Sequence, residues 1–303
     1  MDVRQLGDAG PKVSVVGLGC NNFGVRMDQA AVDRVVGAAL DAGITHFDTA
    51  EMYGGGKSEE FLGQALGSRR DEVVIASKFL PRPNDEPYKP GALRDRILQG
   101  CDVSLGRLRT DRIDLYYQHY PDPDAPIEEL RDALATLQRA GKVVSVASSN
   151  VTAEQIDAAD AAGVGFVATQ IDWSLLNRVV EESVVPAARR HGMGVVPYFP
   201  LASGLLTGKY RRGQEFPEGS RLAASKYFAA VATDDNFRYV ERLQAWAEER
   251  GHTILELAFA WLLAQDGVAS VIAGATSPAQ VAANVAAAGW ALDRRELAEL
   301  PAR

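Results

Sequence analysis

Residues 43–66 read GITHFDTAEMYGGGKSEEFLGQAL: a short apolar run, a glycine-rich loop, and a segment that begins a helix with acidic residues. The same order recurs along the chain, with apolar, β-branched runs at residues 15–18, 45–49, 73–78, 115–119, 143–148, 166–171, 194–198 and 270–273. Continuous apolar runs are typical of parallel strands covered on both faces. Eight such strands alternating with helices predict an α/β protein with a (β/α)8 barrel fold.

The segments between these runs have helical spacing. One apolar stripe consists of Leu93, Ile97, Cys101, Leu105 and Leu108, and a second of Ile127, Leu130, Leu134 and Leu137. We expect a short hairpin around residues 7–10 to close the barrel floor. Residues 201–233 follow the seventh strand without a sustained apolar period, and a loop of this length is usually functional. No low-complexity linker divides the chain, so we expect residues 1–303 to form one domain.

Composition narrows the class of protein. The chain has 303 residues, 40 acidic and 32 basic, with a net charge of −8, which argues against a nucleic-acid partner. No basic segment precedes an apolar core at the N-terminus, and no stretch is long enough to span a bilayer. Cys20 and Cys101 lie far apart and fit no metal-ligand spacing. These features predict a soluble, cytoplasmic protein with no membrane partner.

The run Gly-Gly-Gly-Lys-Ser resembles the end of a phosphate-binding loop. That loop requires a glycine five positions before its Gly-Lys pair, so that backbone N–H groups surround phosphates. With Gly56 and Lys57 as the pair, Glu51 occupies this position, and its carboxylate would repel phosphate. The stretch GLGCNNFG has Asn22 in place of the third glycine of a dinucleotide fingerprint, which also favours a barrel over an open sheet.

Polar residues stand where the predicted strands end, and these ends carry catalytic groups in a (β/α)8 barrel. In chain order they are Asp48, Lys78, His119, Ser149, Asn150, Gln170 and Tyr198, with Tyr53 in the loop after the second strand. Tyrosine exchanges protons poorly near neutral pH because its ordinary pKa is about 10. A lysine ammonium lowers that pKa, and a buried lysine needs a carboxylate. Asp48, Lys78 and Tyr53 supply this chain if they converge, with His119 holding a carbonyl oxygen.

Each of these residues also has a structural interpretation. Asp48 is suited to cap a helix, Lys78 to lie at the surface, and His119 to be a hydrogen-bonded core residue. The pair His46 and Asp48 could mimic a metal site, but no second histidine-rich strand end accompanies it, so we predict no metal. We expect His46 to point into the helix layer.

At this point the sequence resembles the aldo-keto reductase superfamily over nearly its whole length. Residues 43–66 are similar to its first signature, and ASKF, DLYYQHYPDPDAPIEE, SSN, TQIDWSLLNR and YFPLASGLLTGKY follow in family order. The last motif resembles the long-loop branch, which includes potassium-channel β-subunits and sugar-aldehyde reductases. The resemblance implies a catalytic tetrad of Asp48, Tyr53, Lys78 and His119, with Tyr53 as proton donor. The glycines would then shape the loop that carries Tyr53.

The resemblance also implies a nicotinamide cofactor across the barrel mouth. Ser149, Asn150 and Gln170 would hold its carboxamide, and Tyr198 would stack on its ring. Further cofactor-binding positions implied in this way are Leu201, Ser203, Lys209, Arg221, Gly274, Thr276, Gln280 and Asn284.

The choice of cofactor depends on departures from the family pattern. Shorter-loop members hold the adenosine 2′-phosphate with a lysine and an arginine where this chain has Gly274 and Gln280. Ala283 replaces a usual glutamate. Lys209 and Arg221 match positions that the long-loop branch uses on cofactor phosphates. NADP(H) is therefore favoured, with NAD(H) as the alternative.

Two functions are consistent with these residues. The first is an NADP(H)-dependent reductase that converts an aldehyde, ketone or sugar carbonyl to an alcohol, reversibly. The second is a cofactor-binding redox sensor or regulatory subunit with slow chemistry, which acts through a protein partner. We expect Asn22, Phe23, Phe79 and the 201–233 loop to line the substrate pocket.

Overall fold

The computed structural model describes residues 1–81 and 86–303 and contains a nearly closed barrel of eight parallel strands after an antiparallel hairpin. The hairpin strands are β1 (Val3–Gln5) and β2 (Lys12–Ser14). The barrel strands are β3 (Val16–Gly19), β4 (His46–Asp48), β5 (Val74–Phe79), β6 (Ile113–Gln118), β7 (Val143–Ser149), β8 (Ala168–Asp172), β9 (Gly194–Tyr198) and β10 (Val271–Gly274). Each predicted strand overlaps one of them, so the (β/α)8 barrel and the hairpin are confirmed.

Neighbouring barrel strands follow the order β10-β3-β4-β5-β6-β7-β8-β9. The ring is completed by backbone bonds next to β10: Val195 N donates to the Gly267 carbonyl at 2.8 Å, and Ala269 N donates to the Val195 carbonyl at 3.3 Å. The carboxyl ends of all eight strands therefore lie at one end of the barrel.

Helices surround the barrel. In the described part of the chain they are α1 (Gln29–Asp41), α2 (Lys57–Leu66), α3 (Ala92–Leu108), α4 (Ile127–Arg139), α5 (Ala153–Ala161), α6 (Val184–Arg190), α7 (Arg221–Ala224), α8 (Lys226–Ala229), α9 (Asp234–Glu248), α10 (Ile254–Leu263), α11 (Pro278–Ala287) and α12 (Arg294–Glu299). All members of the predicted stripe on α3 are buried. None of these described helices combines the length and apolar character that crossing a bilayer requires.

The strands separate two apolar cores because successive side chains point to opposite faces. Leu115 and Tyr117 of β6 belong to the cluster inside the barrel, whereas Tyr116 belongs to the shell between strands and helices. The hairpin closes the barrel floor, since Leu6 and Val13 join the interior cluster. Gly7 allows this approach: it has φ +62, and a Cβ there would lie 2.4 Å from the Val167 carbonyl oxygen.

The long segment after β9 is partly helical. A 3-10 turn covers Ala202–Thr207, and the short helices α7 and α8 follow. Ser220 and Ser225 cap these helices by accepting hydrogen bonds from the backbone N–H groups of Ala223 and Tyr227. Each helix spans only four residues, too few to show an apolar period, so the sequence pattern gave no sign of them.

Candidate active site

The strand ends open into a cavity of about 620 Å³. Asp48, Tyr53 and His119 line it, and the fully buried Lys78 of β5 hydrogen-bonds to Asp48 and Tyr53. Asp48 and Lys78 end neighbouring strands, His119 directly follows β6, and Tyr53 follows β4 by five residues. The barrel thus brings together the four residues predicted to be catalytic.

Lys78 and Asp48 form a buried ion pair. Lys78 Nζ donates to both carboxylate oxygens of Asp48 at 2.7 Å and to the Thr49 carbonyl at 2.8 Å. Burial alone would lower the pKa of Lys78, but the charge and hydrogen bonds of Asp48 and Tyr53 together outweigh it, so the pKa is raised. Lys78 is therefore a charged ammonium at neutral pH. Gln170 Nε2 also donates to Asp48 Oδ1 at 2.7 Å, which helps to hold the carboxylate.

Tyr53 lies beside this ion pair, in a 3-10 turn formed by Tyr53–Gly56. Its hydroxyl is 3.5 Å from Lys78 Nζ. Burial raises the pKa of Tyr53, and the positive charge of Lys78 lowers it, with a net increase. The sequence predicted only the lowering contribution, because burial of the loop was not visible in it. Tyr53 is therefore a protonated phenol at neutral pH, the form that donates a proton.

His119 faces Tyr53 across the cavity floor. The two ring centroids are 5.8 Å apart with nearly perpendicular planes. Burial, assisted by the positive charge of Lys78, lowers the pKa of His119 to about 3. The imidazole is thus neutral, and its Nδ1 is buried without a partner among the residues that the structure describes. A neutral imidazole can hold a substrate oxygen without competing with Tyr53 for the proton.

Polar side chains from β7 and β8 link the strand ends next to the tetrad. Ser149 Oγ donates to the Gln170 carbonyl at 3.0 Å, and Asn150 Nδ2 donates to the His119 carbonyl at 3.0 Å. Tyr198 Oη donates to Asn150 Oδ1 at 2.7 Å, which fixes the Tyr198 ring against the cavity. Asn150 adopts a left-handed φ of 56°, a conformation that asparagine tolerates better than most residues.

Among the described residues, three cations outside the strands also line the cavity: Arg26 after β3, Lys209 in the long segment, and Arg221 at the start of α7. Arg26 Nη2 donates to the Gly219 carbonyl, which ties the two loops together. Burial lowers the pKa of Arg221, and the charge of Arg26 lowers it further. Within residues 1–81 and 86–303, no carboxylate forms an ion pair with any of these three cations. They are available to an anionic ligand.

The remaining predicted cofactor positions lie on the same cavity. They are Leu201, Ser203, Gly274, Thr276, Gln280 and Asn284. Gln280 is partly engaged within the protein, because its Oε1 accepts a hydrogen bond from Thr276 N at 2.8 Å. A Cβ at Gly274 would approach Asn22 Nδ2 at 3.4 Å, so glycine keeps this part of the wall open.

Sequence comparison agrees with this site. The profile of the Aldo/keto reductase family matches residues 15–302. The chain belongs to the aldo/keto reductase family. It is 36% identical over 303 residues to a "Probable voltage-gated potassium channel subunit beta" of Arabidopsis thaliana, covering 95% of this chain and 91% of that protein. It is 34% identical over 304 residues to the aldo-keto reductase YhdN of Bacillus subtilis (98% and 91%), and 31% identical over 318 residues to the L-glyceraldehyde 3-phosphate reductase of Escherichia coli K12 (99% and 91%).

Family membership supports the general chemistry. Aldo/keto reductases are oxidoreductases that act on small-molecule carbonyl compounds and generally use NAD(P)H. The residues of this chain fit such a cofactor on two structural grounds. The Tyr198 ring forms a fixed aromatic wall beside the tetrad, suited to stack on a nicotinamide. Arg26, Lys209 and Arg221, which have no acidic partner in the part of the chain that the structure describes, are suited to bind its phosphates.

The predicted substrate residues divide into two groups. Asn22 lines the cavity. Phe23 and Phe79 do not: both are fully buried in the shell core, so their prediction as pocket residues is corrected. Phe79 lies one position beyond Lys78 on β5, and strand alternation therefore turns its ring outward, where it packs on Tyr116 with ring centroids 5.1 Å apart.

Sequence reasoning missed several lining residues. Met52, Tyr120 and Tyr227 line the cavity and are among its exposed apolar side chains, and Arg26 lines it as well. Met52 and Tyr120 are direct neighbours of predicted catalytic residues, so adjacency along the chain was an available signal. Tyr227 on α8 was not singled out, but it lies within the 201–233 segment that the sequence predicted to line the pocket.

His46 points into the barrel, not into the helix layer. It shares the parity of Asp48 on β4, and its Nδ1 lies 3.0 Å from Ser270 Oγ. The expectation is therefore wrong, because residues two apart on a strand share a face. Burial lowers the pKa of His46 to about 4, so the ring is neutral. In the described residues, no group of three or more His, Cys, Asp or Glu side chains is arranged to hold a metal ion.

Proposed function

We propose that this aldo/keto reductase is an NADP(H)-dependent carbonyl reductase that converts an aldehyde or ketone to an alcohol, reversibly. One observation carries the proposal. Tyr53 is a protonated phenol with its hydroxyl 3.5 Å from the ammonium of a buried Lys78–Asp48 pair, at the floor of an open cavity. The Tyr53 phenol is the acid, and the Lys78 ammonium beside it would stabilise the tyrosinate formed when the proton is donated.

The chain's own residues perform the proton transfer. A reduced nicotinamide, when bound, supplies the hydride that reaches the carbonyl carbon. Tyr53 gives its hydroxyl proton to the carbonyl oxygen, and Lys78 stabilises the tyrosinate that remains until solvent reprotonates it. Neutral His119 orients the oxygen toward Tyr53. General acid catalysis of this kind contributes roughly 10²–10⁴-fold to a rate.

The preference for NADP(H) is supported by the loop cations. In a protein of net charge −8, three cations that have no acidic partner among the described residues line the cavity, and NADP(H) carries one phosphate more than NAD(H). The buried free thiols of Cys20 and Cys101 accord with a reducing compartment, and we place the protein in the cytosol on that basis. We take residues 1–303 to act as one domain.

The cavity mouth supports an apolar substrate. Met52, Tyr120 and Tyr227 are 46%, 45% and 76% exposed, so the mouth offers apolar surface that a substrate can cover. Of the residues that the structure describes, the cations that line the cavity are Arg26, Lys209 and Arg221, which we assign to the cofactor, and Lys78 at the floor is fully buried and already paired with Asp48. We therefore expect aromatic or other apolar carbonyl compounds to be better substrates than phosphorylated sugars.

A regulatory role is the alternative function, and the name of one relative supports it. The Arabidopsis thaliana protein at 36% identity is named a probable channel subunit, so a cofactor-binding regulatory role with slow chemistry is the alternative. The complete set of Asp48, Tyr53, Lys78 and His119 in this chain supports catalysis over that role.

A substrate panel with both cofactors tests the proposal. We would measure kcat/KM for 4-nitrobenzaldehyde, 2-naphthaldehyde, glyceraldehyde and glyceraldehyde 3-phosphate, each with NADPH and with NADH. The proposal expects the aromatic aldehydes with NADPH to give the highest values. Preference for the phosphorylated aldehyde would overturn the substrate class, and preference for NADH would overturn the cofactor. Absence of turnover with every pair would overturn the reductase assignment itself.

A further inference from the structure

The loop that carries Tyr53, residues 49–56, is held internally by short-range backbone hydrogen bonds: Tyr53 N donates to the Ala50 carbonyl at 3.0 Å, and Gly55 N donates to the Met52 carbonyl at 3.1 Å. Three of its residues, Gly54, Gly55 and Gly56, have left-handed φ values of 59°, 65° and 95°. Consecutive glycines give a chain the greatest conformational freedom, which must be lost when the loop is ordered. The Tyr53 hydroxyl itself has one contact with the catalytic ion pair, at 3.5 Å from Lys78. Contacts from outside the loop therefore help to hold Tyr53 in place.

Arg107 on α3 contacts the loop on both sides of Tyr53. Its Nη1 donates to the Glu51 carbonyl at 3.2 Å, two residues before Tyr53. Its guanidinium also lies against Gly56, three residues after Tyr53, where a Cβ would be 2.3 Å from Arg107 Cζ. Gly56 therefore has to be glycine for two reasons: its left-handed φ and the space taken by the guanidinium.

The guanidinium is itself held by a buried carboxylate. Arg107 Nη1 donates to Glu59 Oε2 at 3.2 Å, and Ser77 Oγ donates to Glu59 Oε1 at 2.6 Å. The Glu59 side chain is fully buried on α2. Close packing of the two helices makes this possible, because a Cβ at Gly63 of α2 would lie 2.4 Å from the Leu108 carbonyl oxygen at the end of α3.

A second contact links the loop to the strand of Lys78. The Glu51 carboxylate accepts from Leu80 N at 2.6 Å, two residues after Lys78, and also binds Arg96 of α3. Glu51 N donates to the Lys78 carbonyl at 3.1 Å. The loop is thus fixed relative to Lys78 on one side and to α3 on the other. Arg107 adds a contact with the loop after Tyr53, at Gly56.

We propose that Arg107 is a positioning residue that holds Tyr53 at the separation from Lys78 at which the proton is transferred. The inference rests on the proposed role of Tyr53 as proton donor. Arg107 touches neither the cavity nor the tetrad, so it acts only through the loop. Displacement of a reacting group by about 1 Å lowers a rate by roughly a hundredfold, so losing the anchor should lower kcat strongly.

The test must separate positioning from the structural role of neutralising Glu59. Arg107→Met leaves a buried carboxylate without its partner, which destabilises a protein. The double variant Glu59→Gln/Arg107→Met removes that charge and should recover thermal stability. If Arg107 positions Tyr53, the double variant stays at least tenfold below wild type in kcat, with cofactor affinity within about twofold. Arg94→Met is the control on α3, since within residues 1–81 and 86–303 the charge partner of Arg94 is Asp95, at 3.2 Å, and not a residue of the loop.

A second measurement does not depend on turnover. The titration of Tyr53, followed by NMR in protein labelled at tyrosine Cζ and assigned with Tyr53→Phe, reports its distance from Lys78. Because burial and the Lys78 ammonium together set the pKa of Tyr53, moving the phenol should shift this titration in Arg107→Met and in the double variant, but not in Arg94→Met. Arg107→Lys, which keeps a donor, should restore part of kcat.

Two results would overturn the positioning role. The first is wild-type kcat and an unshifted Tyr53 titration in either folded variant that lacks Arg107. The second is recovery of kcat together with stability in the double variant, which would make Arg107 only the counter-ion of Glu59. If the wild type reduced no carbonyl compound, the proposed function would fail, while the Tyr53 titration would still decide the effect of Arg107 on the loop.

Discussion

The cavity has two walls built in different ways. Its floor consists of strand-end residues whose charges are paired: Lys78 with Asp48, both almost fully buried. Its loop wall carries Arg26, Lys209 and Arg221, whose charges have no carboxylate partner in the described chain. The buried Lys78–Asp48 ion pair keeps the same protonation state from one catalytic cycle to the next, which suits catalysis. Unpaired cations favour an incoming anion and suit binding.

We expect the largest loss of activity from a substitution at the cavity floor. Tyr53→Phe removes the proton donor but keeps the ring, so we expect kcat to fall by roughly two orders of magnitude or more. Cofactor affinity should stay within about twofold, because the loop wall is untouched. Steady-state kinetics and fluorescence titration measure the two quantities. Tyr120→Phe, another cavity hydroxyl, is the control and should retain near-normal kcat; unchanged kcat in Tyr53→Phe would remove Tyr53 from the mechanism.

The loop wall is tested by Arg221→Ala. We expect it to weaken NADPH binding by roughly ten- to a hundredfold and NADH binding much less, since a charge-assisted contact is worth about 1.5–3 kcal/mol. Fluorescence titration with both cofactors gives the affinities. Arg212→Ala is the control on the same loop, because Arg212 is exposed and pairs with Glu241. Equal losses for the two cofactors would place Arg221 elsewhere than on the additional phosphate.

The buried His46, below the cavity floor, should make the stability of the protein depend on pH. Its pKa is lowered to about 4 by burial, whereas an unfolded histidine has a pKa near 6.5. The unfolded state therefore binds more protons below pH 6.5, and stability falls as the pH drops toward 4. Between pH 7 and pH 5, wild type should lose about 2 kcal/mol more unfolding free energy than His46→Gln. Parallel denaturant curves for the two proteins would contradict this.

Lys78→Met tests how Lys78 affects the pKa of Tyr53. Lys78 lowers the pKa of Tyr53 against the larger effect of burial, so its removal should raise that pKa further. Alcohol oxidation needs Tyr53 as a base, and its pH–rate profile should move up by about one pH unit or more. Lys142→Met, which removes a surface lysine paired with Asp102, is the control. A folded Lys78→Met variant whose profile superimposes on wild type would contradict the role of Lys78.

The sequence predicted the floor better than the wall. Strand positions and their polar ends follow from apolar runs, because a barrel places every carboxyl end at one mouth. The direction of individual strand side chains was predicted less well. His46 was assigned to the helix layer and Phe79 to the pocket, although alternation along β4 and β5 points each side chain the other way. The loop wall depends on contacts distant in sequence, such as Arg26 with Gly219, which no local pattern encodes.

The same distinction explains why the anchor of Tyr53 went unseen. Arg107 lies 54 positions after Tyr53 in the printed sequence and reaches it through close packing of α2 and α3. In the sequence it is one charged residue in an amphipathic helix. Only the tertiary approach at Gly63 gives it a contact with the loop.

Catalytic reduction of a carbonyl compound by this protein is measured by the stoichiometry of the product. Wild-type protein would be incubated with excess NADPH and 4-nitrobenzaldehyde, and the 4-nitrobenzyl alcohol formed per protein molecule counted by chromatography. We predict many alcohol molecules per protein chain, matched one to one by NADPH consumed. Product that stops at one molecule per chain or fewer would contradict catalysis and favour the cofactor-binding regulatory role.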